Sequence, residues 1–202
     1  MSYRFAIAST EADRDAVHAL NYQIFVEEIP QHQPNPERRL IDRFHAENTY
    51  LLCWNGNDLV GMVCARANRP FSLDAKLADL DALLPAHQRL VEIRLLAVLP
   101  RHRTPQVFRG LTALLGQHCA AKGYDLAIVS AYLGQGALYN HIGFRPMGPV
   151  VGTPPAQFQP MYLTAEAFRR FVAATDKASM PASEVCYDPQ RHDRVTNQGE
   201  PP

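Results

Sequence analysis

Leu96–Gly110, LAVLPRHRTPQVFRG, joins two different patterns. Up to Leu99 it extends a near-continuous apolar run that begins at Val91, as in a central strand covered on both faces. From Val107, the residues Val107, Phe108, Leu111, Leu114, Leu115, His118 and Cys119 recur at helical spacing until Gly123. Thr104 suits the N-cap of that helix, and Pro105 suits its first position, where a missing N–H costs nothing. A helix therefore starts just past the C-terminal end of a strand. Its unpaired amides and positive dipole end lie close to Arg101, Arg103 and Arg109. Such a junction is either an anion site, above all for phosphate, or a solvated basic loop that stops the strand.

The flanking sequence builds a mixed α/β sheet around this junction. Tyr3 to Ile7 alternates as a strand, and Thr10 with Asp13 starts a helix whose apolar face is Val17, Leu20, Ile24 and Phe25. Gln31 to Pro36 breaks that helix. Tyr50 to Trp54 and Leu59 to Cys64 flank Asn55-Gly56, a strong hairpin signal. The leucine spacing from Leu73 to Leu84 predicts a helix. Leu126 to Val129 reads as a strand, followed by a short helix reaching Tyr139 and a turn at Gly143-Phe144-Arg145. Met161 to Leu163 reads as the last strand, with Thr164 capping a helix through Phe171. The order is βα-ββ-α-βα-βα-β. Residues 1–174 are expected to form one domain, and 175–202, rich in proline and polar residues, a flexible tail.

Composition excludes several classes. The 202 residues are 47% apolar and 20% charged, enough for a sizeable core, and the formal net charge is zero. The chain as a whole therefore offers no electrostatic attraction to nucleic acid or to an anionic membrane. No run is long enough to span a bilayer, the N-terminus lacks a signal-peptide core, and no stable membrane insertion is expected. Cys53, Cys64, Cys119 and Cys186 have no metal or disulfide spacing and read as reduced thiols of a cytoplasmic protein. No His/Cys/Asp spacing suggests a metal.

The element order, the strand-to-helix phosphate junction and Ala137-Leu138-Tyr139-Asn140-His141-Ile142-Gly143-Phe144 resemble the GNAT superfamily of N-acetyltransferases, over roughly residues 3 to 165. The resemblance implies a central sheet of six to seven strands splayed at the fourth and fifth, flanked by helices. That family usually carries Gln/Arg-x-x-Gly-x-Gly/Ala at the helix mouth. Here Arg103-Thr104-Pro105-Gln106-Val107-Phe108 keeps the arginine and lacks both small residues, and Phe108 crowds a pyrophosphate cradle. The glycine-poor loop is more similar to the branch of acyl-homoserine-lactone synthases and long-chain N-acyl amino acid synthases. Tyr22 to Glu28, Asp42 to Gly61 and Glu92 to Val98 resemble segments of that branch. Gln23 and Leu95 stand where its arginines are expected, and Arg94 lies one residue off, on the opposite face, which argues against lactone synthesis.

The resemblance implies an acyltransferase moving an acyl group, medium or long chains included, from acyl-CoA or an acyl-carrier-protein thioester to the amine of a small molecule such as an amino acid. No tightly bound cofactor is implied; the acyl-CoA or acyl-phosphopantetheine is a co-substrate. Donor contacts are expected from Leu96, Ala97, Val98, Arg101, Arg103, Thr104, Gln106, Val107, Phe108, Arg109, Gly110 and Tyr132, with an oxyanion contact from a backbone N–H near Val98. Glu92 is expected as base and Tyr139 as the acid that protonates the thiolate. Glu92 can instead be half of an ion pair with Arg94 or a tail residue, and Tyr139 a core aromatic. His102, His141 and His45 are weaker candidates for a base. Arg38, Arg39, Arg66 and Arg69 are candidates for an acceptor carboxylate. Two alternatives stay open: an ordinary acetyl-CoA-dependent acetyltransferase, and a non-catalytic module that binds an acyl carrier.

Overall fold

A computed structural model describes residues 2–29, 31–154 and 156–176, with side chains as far as residue 174. The expected tail, with Cys186, lies beyond the described residues apart from its first two positions, which end a helix. The described chain forms two compact units. One comprises residues 2–64 and 95–121, the other residues 65–94 and 122–176. Among the described residues no helix is long and apolar enough to cross a membrane.

In the first unit, β1 (Tyr3–Ile7) runs antiparallel to β2 (Thr49–Asn55), from Tyr3↔Asn55 to Ile7↔Leu51. Gly56, at φ +61°, turns β2 into β3 (Asp58–Arg66), which is in this unit as far as Cys64. Helix α1 (Glu11–Tyr22) begins with the expected capping box: the Asp13 N–H donates to the Thr10 hydroxyl (3.1 Å), and the Thr10 N–H donates to the Asp13 carboxylate (2.9 Å). Instead of continuing as an α-helix, the chain widens into a π-helical turn, Gln23–Glu28. Val17, Leu20 and Ile24 pack in the core with Tyr50, Leu52, Met62 and Ala97.

β4 (Leu90–Val98) belongs to this unit from Leu95, where the backbone adopts φ +53°. A bulky residue in the left-handed region is an outlier and marks a kink in the strand. A turn of 3₁₀ helix, Pro100–His102, then leads into α2 (Pro105–Lys122). Gly110 lies deep in that packing, where a Cβ would come 2.0 Å from the Phe5 ring. Its role is to let α2 approach β1.

In the second unit, β4 pairs in parallel with β5 (Leu126–Tyr132) through Leu90↔Leu126, Val91↔Ala127 and Glu92↔Ile128. The parallel register between them covers these three pairs. β5 pairs antiparallel with β8 (Ala156–Thr164) along its whole length. β8 also holds β6 (Arg145–Pro146) and β7 (Val151–Thr153), two short strands that raise the total above the six or seven expected. Helix α3 (Gly136–Ile142) ends at Gly143 (φ +103°), with the Phe144 N–H returning to the Tyr139 carbonyl. Helix α4 (Ala165–Asp176) starts with the Thr164 hydroxyl accepting from the Ala167 N–H.

The helix expected over Leu73 to Leu84 does not form. The segment is a series of turns closed by a 3₁₀ turn at Asp81–Leu83. Within it the Ala82 N–H donates to the Asp79 side chain, so an acidic side chain takes an amide that a helical ladder needs, while ahead of it the Phe71 N–H donates to Asp74. The leucine spacing still serves burial: Leu73, Leu77 and Leu80 pack with Phe71, Ile128 and Met147.

Candidate active site

The mouth of α2 is more self-contained than its sequence suggests. The His102 N–H donates to the Leu99 carbonyl (2.8 Å) and the Thr104 N–H to the His102 carbonyl (2.8 Å). The Val107 N–H reaches the Thr104 hydroxyl (3.4 Å) and the Phe108 N–H the Thr104 carbonyl (3.1 Å). Pro105 has no N–H, which leaves the Gln106 amide as the first-turn donor that none of these bonds uses. Arg103 is engaged from two sides. Its Nε donates to the Val98 carbonyl (3.0 Å), and its Nη2 lies 2.6 Å from both carboxylate oxygens of Glu28. His102 Nδ1 lies 3.0 Å from the Tyr3 hydroxyl. Arg101, Gln106 and Arg109 are exposed, Phe108, Leu96 and Val98 half-buried, and Ala97, Val107 and Gly110 buried. The first three thus face solvent around the helix start, whereas Val107 and Gly110 are turned into packing.

Glu92 is fully buried in the second unit, at the centre of a polar cluster. Its oxygens accept the Ser72 N–H (3.0 and 3.1 Å) and the Ser72 hydroxyl. The Arg94 Nε is 3.6 Å away and the Arg66 Nη1 3.9 Å. Arg66, itself fully buried, also donates to the Pro70 carbonyl (2.5 Å). Glu92 thus lies within ion-pair distance of both arginines. Arg94, two residues along β4, projects to the same face as Glu92.

Tyr139 is buried in α3, its ring edge-on to Phe144 at 5.5 Å, and burial pushes its hydroxyl pKa up to about 12. A phenol in this setting keeps its proton. Tyr132, at the end of β5, stacks edge-on with Phe158 (6.2 Å) and lies over Gly134, where a Cβ would come 2.8 Å from its ring. The four arginines considered for an acceptor carboxylate are all in ion pairs: Arg38 with Glu27, Arg39 with Asp15, Arg66 with Glu92, and Arg69 with Asp74 and Asp81. His141 lies against Phe171. Among the described residues no group of three or more His, Cys, Asp or Glu is placed to hold a metal ion.

One polar cluster was not foreseen. His18, buried on α1, has Nε2 3.1 Å from His45 Nδ1, which is 3.2 Å from the Tyr50 hydroxyl. Arg39 Nη2 lies 3.1 Å from His18 Nδ1. Since a guanidinium only donates, Nδ1 must accept, so His18 is neutral with its proton on Nε2. Burial, then His45, then the Arg39 guanidinium hold its pKa below the ordinary 6.5, against the opposing pull of Asp15 and Glu11. The unfolded chain therefore binds a proton that the folded chain refuses, and stability falls as pH drops below about 6.5 toward the lowered value. The loss between about pH 7.5 and about pH 5 should be smaller in His18→Gln, measured by urea midpoints. Parallel pH curves for the two proteins would remove His18 from the pH response.

Residues 20–113 match the family model described as an acetyltransferase (GNAT) domain. The fold is GNAT-like, and the family match lies within a 94-residue segment of the 202-residue chain. No curated protein sequence gives a match to this chain. Among solved structures it is similar to BjaI, a CoA-dependent acyl-homoserine lactone synthase, in complex with SAM and isopentyl-CoA, with 18% identity, 90% of this chain, 92% of that chain and a TM-score of 0.73. It is also similar to MesI, another CoA-dependent acyl-homoserine lactone synthase (15% identity, 89% and 98% of the two chains, TM-score 0.69). FeeM, an N-acyl amino acid synthase from uncultured soil microbes, aligns at 16% identity over 87% of this chain and 96% of that one, with a TM-score of 0.67.

The segment matched by the family model contains Glu28, Glu92 and the loop from Arg101 to Arg109, whereas Tyr132 and Tyr139 follow it. Sequence reasoning placed Glu28 on a helix but had no signal for its pairing, because Arg103 lies 75 residues away. Ser72 was likewise missed as the partner of Glu92. The kink at Leu95 has no residue signature, since leucine ordinarily avoids positive φ.

Proposed function

We propose that this GNAT domain transfers an acyl group from an acyl-CoA or acyl-carrier-protein thioester to the amine of a small molecule such as an amino acid. The observation that carries the reading is Tyr139, a phenol packed edge-on to Phe144 in the Ala137-to-Phe144 stretch that resembles the family's tyrosine motif. In the reaction the amine nitrogen attacks the thioester carbonyl, the C–S bond breaks and the departing sulfur takes the Tyr139 proton. Solvent receives the proton lost by the amine and returns one to Tyr139.

Exposed Arg101, Gln106 and Arg109 at the start of α2 are assigned to the donor's phosphates, with Thr104 shaping the turn. The kinked backbone from Leu95 to Val98 is assigned to the pantetheine arm and the carbonyl oxygen. Tyr132 is assigned to the same arm. Glu92, with both oxygens already accepting, is assigned a positioning role: it holds β4 in register with Ser72, Arg66 and Arg94.

Thiol release from acetyl, octanoyl and palmitoyl donors, each offered as CoA and as carrier-protein thioester with amino acids as acceptors, tests the reading. Acceptor-dependent release is expected, fastest with a longer donor. Release from acetyl-CoA alone would favour an ordinary acetyltransferase, and none from any donor would overturn the assignment.

A further inference from the structure

Glu28 stands where it controls the charge of the donor loop. We propose that Glu28 is a specificity-determining residue for the donor: it holds Arg103 in an internal ion pair that an incoming phosphate must displace, and so lowers the affinity of the loop for anionic donors. The proposal rests on the assignment of that loop to the donor.

Three observations carry it. First, the Glu28 carboxylate sets both oxygens 2.6 Å from Arg103 Nη2, so an anion already occupies that terminal nitrogen, where a phosphate oxygen would sit. Second, Arg103 has a separate anchor, its Nε on the Val98 carbonyl at 3.0 Å, so the guanidinium keeps its place at the end of β4 when the carboxylate leaves. Third, the side chains of Arg103 and Glu28 are 47% and 31% exposed. A pair this open to water contributes little to stability and can be exchanged for a more highly charged anion. Glu28 is also the last residue of the π-helical turn, a geometry that recurs at functional sites. While the pair is closed, the Arg103 charge is cancelled.

Calorimetric titration of the full chain with coenzyme A, and separately with pantetheine, tests this. Glu28→Gln is expected to bind coenzyme A about three- to fivefold more tightly than the parent, with pantetheine unchanged. Glu28→Asp should behave like the parent. Arg103→Gln should bind coenzyme A more weakly, and in the double variant the gain from Glu28→Gln should vanish. Glu27→Gln, which removes a neighbouring carboxylate paired with Arg38, controls for general charge. Should Glu28→Gln not fold, Glu28→Ala replaces it with the same expectation. The proposal is overturned if removing Glu28 leaves coenzyme A binding unchanged or weaker, or if Glu27→Gln tightens it equally. If the folded parent, Glu28→Gln and Arg103→Gln all fail to bind coenzyme A, the donor assignment of the loop falls as well.

Discussion

Replacing Glu92 with alanine is expected to lower the unfolding free energy by about 3–5 kcal/mol, the cost of breaking a buried ion pair by removing one partner. The side chain lies close to both Arg66, whose side chain is 0% exposed, and Arg94, at 13%. Without it, two guanidiniums with little or no solvent exposure lose a carboxylate partner, and the Ser72 N–H and hydroxyl lose their acceptor. Glu92→Gln should cost less, because an amide oxygen can still accept from Ser72 while only the charge is lost. Urea unfolding at neutral pH measures both. A Glu92→Ala protein within about 1 kcal/mol of the parent would mean that the cluster is solvated and contributes little. Because Glu92 is assigned a positioning role, Glu92→Gln should retain measurable turnover. A loss as large as that from removing the acid itself would return Glu92 to the chemistry.

Tyr139→Phe is expected to slow turnover about 100-fold, equivalent to about 2.7 kcal/mol of barrier, at nearly unchanged stability. Only the hydroxyl is lost, and the edge-on packing against Phe144 is kept, so thermal unfolding serves as the control. The loss should appear in kcat, with little change in donor KM, because the proton is needed once the C–S bond begins to break. Burial raises the Tyr139 pKa from 10 to about 12, so its proton is held beyond the range of an ordinary tyrosine. The alkaline fall in rate belonging to Tyr139 should therefore lie above about pH 10. A Tyr139→Phe enzyme within threefold of the parent would exclude the residue as the acid.

Several features of the fold were legible because their causes are local. Thr10 and Asp13 are three residues apart and close a capping box that can be read directly. The alternation of Tyr3 to Ile7, the Asn55-Gly56 turn and the Thr104-Pro105 helix start likewise depend on neighbours within one or two turns of chain. The leucines of Leu73 to Leu84 were legible as core and illegible as structure: helical spacing recorded burial, while Asp79 took the Ala82 amide. The two short strands on β8 carry too few residues to show a period.

The candidate site divides along the same line. Residue type and spacing alone determined a strand running into a capped helix amid arginines, and a tyrosine ahead of a Gly-Phe turn. Tertiary structure decided the state of each group: that Arg103 is held by Glu28, that Glu92 is enclosed by Ser72 and two arginines, that His18 is neutral against His45 and Arg39, and that Leu95 is kinked. These are properties of partners 75, 20 and 27 residues away along the chain, or of a backbone strained by its packing. Charge, protonation and hydrogen-bond saturation are set by what surrounds a side chain in space, and a linear pattern records periodicity without recording those neighbours.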